Sequence, residues 1–268
     1  MPLEFEEFKA KAAELCRIDL SSYKSLQMDR RINSLMRVWG VKDYDEYLHV
    51  LQTNPARFQE FVKKLTINVS EFFRNPERFG EVRERILPEL LAKRASLDVW
   101  SAGCSNGAEP YTVAIILREL GAAQRARLLA TDIDQVVLEK AKAGVYSQAE
   151  VKNVPPVLLQ RYFELRDGYY HVSPEIKKMV EFRRHNLLHD PFPRTMDFIL
   201  CRNVVIYFTE EAKAQLYANF FAHLNPGGYL MVGGTEPLLN YRYIGFENPM
   251  PFFYRKPAPP EGERGFVS

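Results

Sequence analysis

The sequence is poor in several things at once. Its 268 residues hold three cysteines, Cys16, Cys104 and Cys201, too few and too scattered for a disulfide framework or a cysteine zinc site. A reducing, cytoplasmic setting is therefore expected. No apolar run reaches membrane-spanning length, and the N-terminus lacks the basic, apolar and small-residue succession of a secretory signal. Neither charge sign is in excess: 36 Lys and Arg meet 34 Asp and Glu, a formal net charge of +2. No bulk attraction to nucleic acid and no insertion into a membrane is expected. There is no Ser-His-Asp or Cys-His constellation, and no ligand set at metal spacing, so no metal is expected. His185 and His189 read as loop histidines with local partners.

What the chain does have is residues 97–111, LDVWSAGCSNGAEPY. Leu97, Val99 and Trp100 suit a strand covered on both faces. Gly103 and Gly107 let the backbone turn sharply and approach a ligand, because neither carries a Cβ. Pro110 fits the first turn of a helix, where its missing N–H is no loss. A second strand, RLLAT at 127–131, runs into Asp132 and Asp134. A glycine turn followed by an acid at the next strand end is how a doubly wound sheet holds a nucleoside. The turn has no third glycine and no phosphate-binding lysine. That favours an adenosyl ligand without phosphates, of which S-adenosylmethionine is the commonest, over a dinucleotide. The bland alternative is a structural turn with glycines for packing alone.

Residues 3 to about 70 read as helices. Phe5, Phe8, Ala12 and Leu15 recur at helical spacing, and 25–38 carries Leu26, Ile32, Leu35 and Met36 on one side. Gly40 ends that helix, and Asp43 caps the next, with Tyr44, Tyr47, Leu48 and Leu51 inward. A fourth begins at Asn54-Pro55 and holds Phe58, Phe61, Val62 and Leu65. Residues 66–76, TINVSEFFRNP, read as a hinge into a helix over 77–93. From 97 onward strand and helix alternate, the mark of an α/β sheet. Helices are expected at 136–143, 155–163 and 212–224, and the apolar strand 196–201, MDFILC, is expected at the centre. Strands at 169–172 and 179–183 are expected to pair as a small antiparallel flap, and others lie at 229–232 and 252–255. The expected organisation is a helical domain and hinge over 1–75 and an α/β domain over 76–256 with its flap at 162–181. The Pro- and Glu-rich 257–268 is expected to be a disordered tail.

Several stretches taken together resemble one family, the CheR-type chemotaxis receptor protein-glutamate O-methyltransferases. They are NVSEFFR at 68–74, VWSAGCSNGAEPY, ATDID at 130–134, Tyr162-Phe163, HNLL at 185–188, CRNVVIYF at 201–208, NPGGYL from Asn225 and GGTE from Gly233. The resemblance covers nearly the whole chain. It departs at Asn106, where Ser or Thr is usual, and at Ala108, where a second acid is usual; Glu109 keeps the family's acid.

The resemblance implies a Rossmann-like S-adenosylmethionine-dependent methyltransferase sheet, an N-terminal all-helical domain and a small antiparallel β flap. It implies methyl transfer to receptor glutamates, with S-adenosylhomocysteine as product; a non-catalytic S-adenosylmethionine-binding signalling module is the alternative. A glutamate is already ionised at neutral pH, with a reference pKa of about 4.3, so no general base is needed. Alignment and water exclusion remain the enzyme's work. Asn68, Ser70, Arg74, Gly103, Glu109, Asp132, Asn186, Leu187, Arg202 and Asn203 are the implied cofactor residues. Asp132 accepts from the ribose, Glu109 meets the methionyl ammonium or complements the helix dipole, and Arg74 partners a carboxylate. Asp134 suits a helix N-cap. Arg74 and Tyr207 are the candidate catalytic residues, with Tyr207 lining the transfer channel or packing. Cys104 and Cys201 read as small buried residues. The partner implied is the acidic cytoplasmic methylation helices of chemotaxis receptors, met by a monomer through Arg30, Arg31 and Arg37; a solvated basic face is the bland reading. Some family members also dock on a receptor tail peptide through the flap. Here Asp167-Gly168 signals a tight hairpin, so recognition without that tether is expected.

Overall fold

The computed structural model describes residues 3–16, 18–66 and 70–258. The chain divides into two compact units, Met1–Asn68 with Tyr207–Ala214, and Val69–Ile206 with Gln215–Ser268. Asn68 and residues 259–268 lie outside the described residues. Among the described residues no helix is long and apolar enough to cross a membrane.

The first unit is built on helices Phe5–Cys16, Ser25–Trp39, Tyr44–Thr53 and Pro55–Thr66. Two expected core positions are corrected. In the first helix Phe8, Ala12 and Cys16 are buried, at i, i+4 and i+8, while Leu15 is exposed. In the second, Met28, Ile32 and Leu35 are buried and Leu26 is 72% exposed. The reason is angular: at about 100° per residue, Leu26 falls roughly 120° around the helix from Ile32. Asp43 caps the third helix by accepting from Glu46 N at 2.8 Å, and Tyr47 and Leu51 point inward.

The second unit holds the sheet. Its strands are β1 (Leu97–Ala102), β2 (Ala126–Asp132), β3 (Val145–Tyr146), β4 (Phe163–Arg166), β5 (Tyr169–Val172), β6 (Val180–Arg184), β7 (Met196–Cys201), β8 (Leu224–Val232), β9 (Glu247–Met250) and β10 (Phe253–Arg255). Seven form one sheet in the order β6-β2-β1-β7-β8-β10-β9. β6, β2, β1, β7 and β8 are parallel, and β10 runs antiparallel to both neighbours. β1 and β7 are buried at every residue, as central parallel strands covered on both faces are, and Asp98, Ser101 and Asp197 are buried within them. The order reverses between β1 and β7, the point where such sheets bind ligands beyond their carboxyl ends.

The small sheet is β3-β5-β4. The expected pairing of 169–172 with 179–183 is corrected: β5 pairs with β4 and β3, whereas β6 joins the large sheet beside β2. Period-2 patterning marks a strand without naming its neighbour. Residues 70–76 of the expected hinge belong to this unit. Phe72 is buried against the rings of Tyr146 at 4.7 Å and Phe163 at 5.0 Å, and its N–H donates to Glu150 O at 2.9 Å. The helix after it runs over Pro76–Glu81, a π turn Val82–Ile86, and Leu87–Lys93. Pro88 has no N–H to offer the α pattern, and the ladder widens just before it.

Candidate active site

β1 ends at Ala102, and the chain turns through Gly103 and Gly107 with φ of 83° and 86°. A Cβ on Gly103 would run into Val204, and one on Gly107 would lie 2.8 Å from the Ala141 Cβ. Both glycines therefore serve close packing as well as the turn. Gly103 N and Cys104 N both donate to Thr131 O at 2.8 Å, which pins the turn to β2.

Asp132 closes β2, and its carboxylate is buried. It accepts from Ser105 N at 2.8 Å and from Asp134 N at 3.0 Å. Burial pushes its carboxyl up to about 6, against the pull of these backbone donors. Asp134 caps the helix Gln135–Ala143, accepting from Val136 N at 2.9 Å. A carboxylate offers about four acceptor positions, and with the Ile133 N–H also directed at it Asp132 keeps at least one for a ligand. Ser105 Oγ is buried at the same turn without a hydrogen-bond partner. An adenosyl cofactor, whose ribose brings two hydroxyls, fits this pair of groups.

Under the turn, Glu109 stands in the first turn of the helix Ala108–Glu119. Its Oε1 accepts from Ser101 Oγ at 2.8 Å and its Oε2 lies 3.2 Å from Arg202 Nη1. Arg202 Nη2 donates to Arg74 O and to Asn75 Oδ1, each at 2.8 Å. The two charges are thus spent on each other, and Arg74 joins the group through its carbonyl. Asn203, with φ of 59°, donates its N–H to Glu236 Oε2 at 2.6 Å. Left-handed backbone at Phe73, Asn75, Ser105 and Asn203 collects in these three neighbouring segments, as strain does at ligand sites.

Ser70 is half-buried, and its carbonyl accepts from Asn106 Nδ2 at 3.2 Å. Asn186 turns on itself after β6: its Oδ1 accepts from Leu188 N at 3.0 Å, and its N–H donates to Asp190 at 2.7 Å. Leu187 is buried beside it in the chain. His185, read as a loop histidine, is buried; its ring is 5.6 Å from Trp100, and its N–H donates to Asp132 O at 3.0 Å.

Tyr207, Arg30, Arg31 and Arg37 belong to the first unit. The Arg31 guanidinium lies over the Tyr207 ring at 4.7 Å and donates to Leu65 O at 2.7 Å. Arg30 and Arg37 are exposed. The three arginines are therefore not equivalent.

Sequence reasoning left Glu236 without a role. It is buried, and besides Asn203 N it accepts from Gly233 N at 3.0 Å and Ile206 N at 3.1 Å, which holds the loop after β7. Burial raises its carboxyl above the usual range. The available signal was an acid in an apolar, glycine-bearing stretch at a strand end. Burial also pushes the Cys104 and Cys201 thiols well above their ordinary range, so neither is a nucleophile at neutral pH.

Two family descriptions match the chain: "CheR methyltransferase, all-alpha domain" over residues 3–66, and "CheR methyltransferase, SAM binding domain" over 68–247. A chemotaxis protein methyltransferase of Listeria innocua is 38% identical over 240 residues, 89% of this chain and 92% of that one. One from Borreliella burgdorferi is 36% identical over 256 residues, 89% of each chain. One from Escherichia coli is 36% identical over 231 residues, 82% of this chain and 79% of that one. The chain belongs to the CheR methyltransferase family, and is a methyltransferase of chemotaxis whose cofactor is S-adenosyl-L-methionine.

Proposed function

We propose that the chain esterifies glutamate side chains on the cytoplasmic helices of chemotaxis receptors, releasing S-adenosylhomocysteine. The observation that carries this reading is a nucleoside-type site with a buried charge pair beneath it and, among the described residues, no activated nucleophile beside it. Cys104 and Cys201 are held as thiols, and Glu109 is committed to Arg202. Such a site suits an acceptor that arrives already ionised, as a glutamate does at neutral pH. S-adenosylmethionine supplies an electrophilic methyl group on a sulfonium.

Asp132 and Ser105 would hold the ribose hydroxyls. Glu109 and Arg202 keep the floor of the turn neutral, so the site neither repels an incoming carboxylate nor traps it. Arg74 would orient a carboxylate by a charge-assisted hydrogen bond. The test is mass spectrometry of a receptor cytoplasmic fragment after incubation with the enzyme and S-adenosylmethionine. Base-labile methyl esters on glutamates are expected, and Arg74→Ala should lose most of them while its melting temperature stays within a few degrees. Methyl groups on nitrogen or sulfur, or a fully active Arg74→Ala enzyme, would overturn the respective assignment.

A further inference from the structure

Asn106 lies inside the glycine turn, 3% exposed. Each polar atom of its side chain is engaged. Oδ1 accepts from Ala108 N at 3.2 Å, at the start of the helix Ala108–Glu119. Nδ2 donates to Ser70 O at 3.2 Å and to Glu150 Oε1 at 2.8 Å. The Asn106 carbonyl accepts the Tyr146 hydroxyl at 2.6 Å. Glu150 is fixed in turn. Its Oε2 accepts the N–H and the hydroxyl of Ser147, both at 2.8 Å, in a capping box for the helix Gln148–Val151. Its Oε1 also pairs with Lys140 at 2.7 Å, and its carbonyl accepts Phe72 N at 2.9 Å.

Residues 70–74 are therefore fastened at two points, Ser70 O and Phe72 N, to one small framework that includes the glycine turn. A side chain serving all three partners of Asn106 must accept once and donate twice. A hydroxyl has one hydrogen to donate, so the Ser or Thr usual at this position would leave one partner unserved. A carboxylate has none.

We propose that Asn106 is a positioning residue: its two amide hydrogens brace segment 70–74 against the glycine turn and so set Ser70 and Arg74 relative to Asp132. The consequence for cofactor affinity rests on the reading of Ser70 and Arg74 as cofactor residues. The brace itself does not.

Asn106→Asp keeps the acceptor for Ala108, removes both donor hydrogens and sets a carboxylate against Glu150. Adding Glu150→Gln restores the bond to position 150 with its direction reversed: the glutamine oxygen still completes the capping box, which accepts Glu or Gln, and its NH2 turns to the new carboxylate. Ser70 O stays without its donor and Lys140 loses its ion pair, so the rescue is partial. A structural side chain that merely fills space would not be rescued this way. Two quantities are measured on the full chain, amide hydrogen exchange of the peptide containing Phe72 and the calorimetric affinity for S-adenosylmethionine.

Loss of these hydrogen bonds should speed exchange about tenfold and weaken binding about tenfold, and the double variant should return both to within about threefold of wild type. Asn106→Ser retains one donor and should fall between wild type and Asn106→Asp in exchange, which keeps the test decisive if the aspartate variant does not fold. Exchange unchanged in Asn106→Asp or Asn106→Ser, or a double variant no better than the single, overturns the brace. Faster exchange with unaltered affinity upholds the brace and removes Ser70 and Arg74 as cofactor residues.

Discussion

The Arg202 guanidinium lies 3.2 Å from the Glu109 carboxylate, with the two side chains only 3% and 11% exposed. A buried pair is costly to break, because the partner left behind is an uncompensated charge. Glu109→Gln should therefore destabilise the chain by about 3–5 kcal/mol in urea unfolding. Adding Arg202→Met should recover much of that loss, since the two sites are coupled. An unchanged unfolding midpoint in Glu109→Gln would mean that the pair contributes nothing to stability.

Asp132 should make cofactor binding depend on pH. Its carboxyl is raised from 3.8 to about 6 in the folded chain, so the folded state holds that proton more tightly than the unfolded one. Its contribution to stability is fully present below 3.8 and lost as pH rises through about 6. Binding runs the opposite way, because the ionised carboxylate is the stronger acceptor for a hydroxyl. Affinity for S-adenosylmethionine should weaken as pH falls through about 6. Asp132→Ala should cost about 1.5–3 kcal/mol of binding at neutral pH and flatten the profile. Calorimetry across this range decides it; equal slopes in both proteins count against Asp132.

The basic helix separates into two kinds of arginine. Arg31 stacks on Tyr207 and bonds to Leu65 O, so Arg31→Glu should lower the melting temperature. Arg30 and Arg37 are exposed, and reversing both should leave melting and cofactor affinity alone. Methylation of a receptor fragment should fall in that double variant, more at low salt than at high salt. Activity unchanged at low salt would remove this face from receptor recognition.

The flap hairpin turns through two residues, Asp167 with φ of 48° and Gly168 with φ of 78°, and Arg166 pairs directly with Tyr169. This is the tight turn expected of Asp-Gly, and it leaves little loop to contact a tether, although the strand edge could still accept a peptide by β-addition. Receptor tail peptides should show no micromolar binding in titrations. Micromolar affinity that disappears on altering Asp167 and Gly168 would reverse this expectation.

Much of the architecture was legible from local pattern. The strand at β1, the glycine turn, the acid ending β2 and the Asp134 cap each depend on a few adjacent residues, whose backbone preferences act over short range. Core faces were read less well where apolar residues lay close together. Leu26 and Met28 are two positions apart, about 160° around the helix, and only Met28 shares the face of Ile32 and Leu35.

By itself the sequence determined an α/β chain with a nucleoside turn, an all-helical N-terminal part, and a family resemblance carried by whole motifs. Tertiary structure decided the partnerships. Glu109 meets Arg202 across 93 positions, Asn106 meets Glu150 across 44, and Asn203 meets Glu236 across 33. Residues 180–184 leave the flap for the edge of the large sheet. No local periodicity encodes such pairs, because they arise only when the fold brings distant turns and helix ends together. There, burial removes water as a partner, and each polar group must be satisfied by another part of the chain.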